Sequence, residues 1–343
     1  MLGEGRRIPL NVQRPDLPVS FLADKSLLCS YRKASFVTFA NPVFYLSLYS
    51  LMPFLPSELI LNPDGSIYHL HLLPEQVAPL IITVGDPDRV GKVSRYFDAI
   101  ECRVQKREFI THTGRVGRLR LSVLSSGIGP DNIDIVVNEL DAVFNIDLPT
   151  REVKKPLQTL TIIRLGTAGG LQPEVPVDSF VTSIGGLGFD GLLHAYQAKT
   201  WQQHPVARAL QRHFENAGGL LVPPYYAPAD TSLTALFSEG FHTGYTATHG
   251  GFYGPQGRQL RAVRRLPDYL DRLQTFTYGG HRVLNLEMET AALFGLCQLL
   301  GHRAVSLSAI IANRALGQFS LDPEAAVQRL IERTLERLVD SAP

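Results

Sequence analysis

Residues 81–93 read IITVGDPDRVGKV: an apolar run, a glycine, a charged turn, then Gly91-Lys92. The fold turns on how this stretch is read. As a triphosphate-binding loop it would need four residues between its glycines and a serine or threonine after the lysine. Here five residues separate Gly85 from Gly91, and Val93 follows Lys92. The local chemistry favours a different unit. Leu80–Val84 is a short buried strand, Asp86 and Pro87 suit a helix cap and first turn, and Val90, Val93 and Phe97 supply the apolar face. Lys92 then falls on the helix surface, pointing away from the loop. The turn still suits an anion, with backbone N–H groups at a helix start and Arg89 as a bidentate donor. An ordinary strand-to-helix turn with a surface arginine is the plain alternative.

Working outward, the same pattern repeats. Residues 119–129, 159–170, 179–186 and 303–312 are apolar runs of the kind buried on both faces, and the first three end in glycine. Between and after them, residues 131–144, 285–301 and 321–338 carry helical periodicity, the last with Asp322 as cap and Pro323 in the first turn. The expectation is an α/β fold: a single domain over residues 53–343 with a central mixed β-sheet flanked by helices. Residues 1–52 lack a sustained period and read as an atypical extension, disordered or a mis-assigned start near Met52. Residues 41–55 are apolar but too short and proline-broken to span a bilayer. The stretch 150–158 reads as a solvated charged loop.

Composition narrows the function. A formal charge of +1 offers no field for nucleic acid or an anionic membrane. The three cysteines (Cys29, Cys102, Cys297) have neither metal-ligand nor disulfide-scaffold spacing, which points to a reducing, cytoplasmic compartment. The ten histidines form no metal signature, and no G-x-S-x-G elbow is present. His69 and His71 alternate as on a strand face.

Three clusters carry chemistry. Arg164 ends an apolar strand ahead of Gly166-Thr167, where a buried guanidinium needs a partner or an anion. Glu287 and Glu289 start a helix; standing two apart, they face different directions, and at most one reaches a given ligand. Phe252, Gln256 and Arg258 share a glycine- and proline-rich loop that could stack on and pair with a planar heterocycle, or simply form an exposed turn.

Read in order, the blocks IYHLHL, VGDPDRV, KREF, SSGIG, RLGTAGG, FYGPQGR, NLEMET and IIANR, spread over residues 66–314, resemble the nucleoside phosphorylase family, closest to its uridine-cleaving branch. The resemblance implies phosphate-dependent cleavage of a pyrimidine N-glycosidic bond, with Arg164, Glu289 and Arg258 as catalytic residues. It implies phosphate binding by Gly85, Arg89, Arg164 and Thr167, with Arg107 reaching a neighbouring subunit's phosphate. Ribose would meet Met288, Glu289 and, across a dimer interface, His69. The base would meet Phe252, Gln256 and Arg258. Inorganic phosphate would be a co-substrate and no cofactor is implied, although Glu108 matches a position that can help bind a monovalent cation between subunits. The implied partners are nucleoside and phosphate in a homo-oligomer, in nucleoside salvage and catabolism. Purine phosphorolysis, or nucleoside binding without turnover, are the alternatives; Ala312-Asn313-Arg314 in place of the purine branch's Ser-Asp favours pyrimidine. The chain departs from the family pattern at Pro130-Asp131-Asn132, at residues 247–252 (ATHGGF) and in the longer link at 146–158.

Overall fold

Strand β1 (Leu80–Val84) shows why the apolar runs had to be strands: its neighbouring residues face opposite cores. Ile81 packs with one helical layer and Ile82 with the other. The computed structural model describes residues 53–341 apart from 198–200, 202, 216–217 and 221. The expected extension at 1–52 lies outside the described residues.

In chain order, β1 is followed by helix α1 (Pro87–Ser94), β2 (Ala99–Lys106), β3 (Phe109–Val116), β4 (Leu119–Ser125) and α2 (Pro130–Asn145). A small hairpin, β5 (Ile146–Asp147) and β6 (Glu152–Val153), takes up the first residues of the expected charged loop at 150–158. Then come β7 (Thr161–Gly170), β8 (Phe180–Gly188), α3 (Pro205–Glu215), β9 (Tyr225–Pro228), α4 (Thr231–Leu236) and β10 (His242–Thr248). The last third contains α5 (Tyr269–Thr275), β11 (Thr277–Tyr278), β12 (His281–Glu287), α6 (Thr290–Leu300), β13 (Arg303–Asn313), β14 (Gln318–Phe319) and α7 (Pro323–Asp340).

The main sheet runs β11-β12-β10-β8-β13-β7-β1-β4-β3-β2, with parallel and antiparallel neighbours. The expected single α/β domain with a mixed, helix-flanked sheet is therefore what the chain forms. The sheet also closes on itself. Asn285 and Leu286 of β12 pair antiparallel with Gly170 and Gly169 of β7, so β7, β13, β8, β10 and β12 make a ring. Helices α2 and α6 cover one side through Ile133, Val137, Leu140, Leu293 and Leu296; α1 and α7 cover the other through Val90, Val93, Leu330 and Ile331. Each such side chain contributes about 1.5–3 kcal/mol on burial.

Helix α1 ends the question of the opening stretch. Asp86 caps it, its carboxylate accepting from the Asp88 N–H at 3.0 Å. Lys92 pairs with Glu324 at the start of α7, on the outer surface. Two expectations change. Residues 285–287 belong to β12, so helix α6 starts five residues later than its apolar pattern suggested. The segment around His69 and His71 is a turn, with His71 at φ 57°, and the two rings serve different partners: His69 Nδ1 lies 2.6 Å from Glu139, His71 Nε2 lies 2.9 Å from Asp64.

Candidate active site

The sheet brings the ends of β1, β4, β7, β12 and β13 around one cavity of about 600 Å³. Its wall holds nine of the eleven residues expected to meet phosphate, ribose or base: Gly85, Arg89, Arg164, Thr167, Phe252, Gln256, Arg258, Met288 and Glu289. They come from four separate stretches of chain, so it is the topology that unites them.

One end is cationic. Arg89 leaves α1 and donates from Nη1 to the Leu165 carbonyl of β7 at 3.2 Å. Burial lowers its pKa, Asp86 opposes the shift and Arg164 reinforces it. Arg164 lies within β7 rather than at its end, and it is buried. Its Nη2 binds Glu289 and stands 3.1 Å from Glu287. Burial alone would lower the Arg164 pKa, but the two carboxylates hold it above the ordinary arginine value. Two carboxylates share one guanidinium in a buried place. Burial, with Glu287 adding to it, accordingly pushes the Glu289 carboxyl up in spite of Arg164.

The convergence of Glu287 and Glu289 corrects the sequence reading, which sent them in different directions. Alternate facing holds only within one regular element. Here Glu287 ends a strand, Glu289 is the N-cap of α6, and the chain turns between them. Glu287 also accepts from the backbone N–H of Glu289 at 2.9 Å and of Thr290 at 3.0 Å, and from Thr248 Oγ1 at 2.7 Å. It thus neutralises the helix start and fixes Arg164 together. Glu289 Oε1 accepts from the Gly129 N–H at 2.7 Å, tying α6 to the start of α2. Gly129 has φ 102°, which favours glycine there, and Pro130 rather than Asp131 opens the helix.

The other end is planar and polar. Gln256 is buried in a short 3₁₀ turn, and its Nε2 donates to the Glu287 carbonyl at 3.3 Å. Arg258 Nη1 donates to Gln256 Oε1 and to the Phe252 carbonyl, both at 2.7 Å. The Arg258 guanidinium lies 3.7 Å from the Phe252 ring centroid. Burial, with nearby Arg314, lowers the Arg258 pKa to about 10, so it is charged at neutral pH. Phe252 is half exposed at the mouth.

Two residues stand apart. His69 and Arg107 do not line the cavity of their own chain; Arg107 is exposed, at φ 54°, in the β2–β3 turn. Glu108 beside it does line the cavity. The sequence reading missed Ile128, Phe319 and Arg314, the last donating to the Gln256 carbonyl at 3.2 Å. Arg314 stood in plain view in the IIANR block; the apolar pair carries no chemical signal before the fold is known.

Comparison with known proteins agrees with this geometry. The family model for the phosphorylase superfamily matches residues 79–342. The uridine phosphorylase of Treponema pallidum is 32% identical over 83% of this chain and 99% of its own length. That of Thermococcus kodakarensis is 28% identical over 78% of this chain and 84% of its own. The crystal structure of a Trypanosoma brucei nucleoside phosphorylase showing uridine phosphorylase activity superposes with a TM-score of 0.73, at 26% identity, covering 82% of this chain and all of that one. With the fold, the cavity and these matches in agreement, the chain belongs to the phosphorylase superfamily, as a pentosyl-transferring enzyme of the nucleoside phosphorylase kind.

Proposed function

We propose that this enzyme cleaves a pyrimidine nucleoside with inorganic phosphate, converting uridine and phosphate to uracil and ribose 1-phosphate. One observation carries the reading: the 287–289 segment bonds Arg164 on one side and Gln256 on the other, so a single cavity joins a cationic end to a planar, polar end. Those ends lie as the two halves of a nucleoside phosphorolysis require.

Gly85, Arg89, Arg164 and Thr167 hold the phosphate, and Met288 and Glu289 hold the ribose, with Glu289 on its 2′- and 3′-hydroxyls. Phe252 stacks on the base while Gln256 and Arg258 pair with its edge. A phosphate oxygen attacks C1′ as the C1′–N1 bond breaks, and the bonding pair leaves with the uracil ring. The Glu289 carboxylate and the phosphate stabilise the positive ribosyl centre, and Arg258 stabilises the departing anion, which then takes a proton from water. No organic cofactor enters this scheme. His69 and Arg107, outside their own cavity, complete the site of a second copy.

A panel of nucleosides with and without phosphate tests the reading. Uracil and ribose 1-phosphate should form from uridine only when phosphate is present. Phosphate-independent release would make the enzyme a hydrolase, purine cleavage alone would make it a purine phosphorylase, and tight binding without turnover would make it a sensor.

A further inference from the structure

The ATHGGF stretch departs from the family pattern and, apart from its last residue, Phe252, takes no part in the scheme above, yet it builds something. His249 is buried directly behind the base loop, its ring stacked on Phe189 with centroids 4.9 Å apart and planes 3° off parallel. Its Nε2 shares a 2.5 Å hydrogen bond with the Tyr269 hydroxyl. These three rings wall a second cavity of about 220 Å³, closed further by Leu266, Pro255 and Arg264.

Two features show what would occupy it. The first is unmet hydrogen-bonding capacity. Among the described residues, few buried side-chain polar atoms lack a partner, and one of them, Arg264 Nε, belongs to a residue lining this cavity. Arg264 uses Nη1 on the Gly257 carbonyl at 2.8 Å, which leaves its Nε–H without an acceptor. A buried donor left so is costly unless a ligand or water supplies the acceptor. The second is charge: two arginines, Arg264 and Arg265, line the cavity and no carboxylate does. The remaining wall is aromatic and aliphatic, with flat ring faces. An engineered apolar cavity of about 150 Å³ suffices for a benzene ring; this one has room for a ring and a charged substituent.

We propose that this cavity is a second ligand site, taking a small planar aromatic carboxylate whose ring packs among Phe189, Leu266 and Tyr269 and whose oxygens accept from Arg264. The assignment stands apart from the reaction, because it uses none of the residues placed on phosphate, ribose or base. Gly254 and Pro255 of the wall immediately precede Gln256, so the site adjoins the base loop from behind.

Benzoate is the probe, with benzamide as its uncharged counterpart, titrated calorimetrically into the full chain with phosphate and uracil saturating the main cavity. One benzoate should bind per chain. Benzamide should bind roughly tenfold more weakly or worse, since it cannot offer the charged acceptor. Val222→Phe, a change at a partly exposed wall position, should abolish binding by filling the cavity, and Arg264→Gln should weaken it roughly tenfold. Should Arg264→Gln fail to fold, the Val222 variant decides alone. Absence of saturable binding, displacement by uracil and phosphate, or binding unchanged in Val222→Phe would each overturn the proposal.

Discussion

A single methyl group placed at Gly166 should disable the cationic end of the site while leaving the fold in place. A Cβ at this position would stand 2.6 Å from Arg164 Cζ and 2.8 Å from Nη2, and nearer still to Nη1. Ordinary contact needs about 3.5 Å or more, so the guanidinium must retreat by roughly an ångström. The backbone can accept alanine, because the nearest obstruction is the far end of a side chain and not another strand. The damage therefore falls on the Arg164 bonds to Glu287 and Glu289, and on whatever anion Arg164 would hold. A displacement of about 1 Å in a positioning group is enough for a loss of about 100-fold. Gly166→Ala should lower kcat/KM for uridine phosphorolysis by about that factor and raise the KM for phosphate. Steady-state kinetics over a phosphate series, with far-ultraviolet circular dichroism as the control for folding, supply the measurement. Near-normal phosphate kinetics in a folded variant would refute both the placement of Arg164 and its role.

Three further expectations follow from other parts of the molecule. Arg258→Ala should reduce uridine kcat/KM by about 100-fold or more, while the KM for phosphate changes little; equal losses on both substrates would contradict its place at the base end. Burial holds the His249 pKa at about 3 against 6.5 for a free ring. The unfolded chain therefore takes up the proton first, and the stability present above pH 6.5 is lost as pH falls towards about 3. Roughly 1.5–2 kcal/mol should go between pH 6.5 and about pH 5, read from urea midpoints, and His249→Gln should flatten that limb. Lys92→Ala, which removes only a surface ion pair with Glu324, should shift stability by no more than about 1 kcal/mol and leave phosphate KM unchanged; a raised KM would return Lys92 to the phosphate site.

The strands were legible because burial on both faces demands uninterrupted apolar runs, and Ile81/Ile82 and Ile162/Ile163 each serve two cores in turn. Most residues of the cavity wall were reached through the ordered family motifs, because each loop read alone fits an ordinary turn as well. The start of α6 was not. Asn285 and Leu286 fit a helical stripe as well as a strand, and only their pairing with Gly170 and Gly169, more than a hundred residues earlier, decides the matter. That pairing also closes the ring, which no local pattern encodes. The His69–His71 reading failed for a similar reason: Glu139, from the distant helix α2, accepts from the backbone N–H groups of His69 and Leu70 and draws the segment into a turn.

Ring closure divides the cavity mechanically. Arg164 and Thr167 belong to a strand held along both edges and pinned again at its tip, so their part of the proposed phosphate end cannot shift without opening the ring. The base end hangs on a loop anchored by a few side-chain bonds from Gln256, Arg258 and Arg314. The two halves of the substrate thus meet supports of unequal stiffness. On the proposed reaction, base preference should drift, or be grafted by exchanging residues 250–258, while the requirement for phosphate should stay with the sheet.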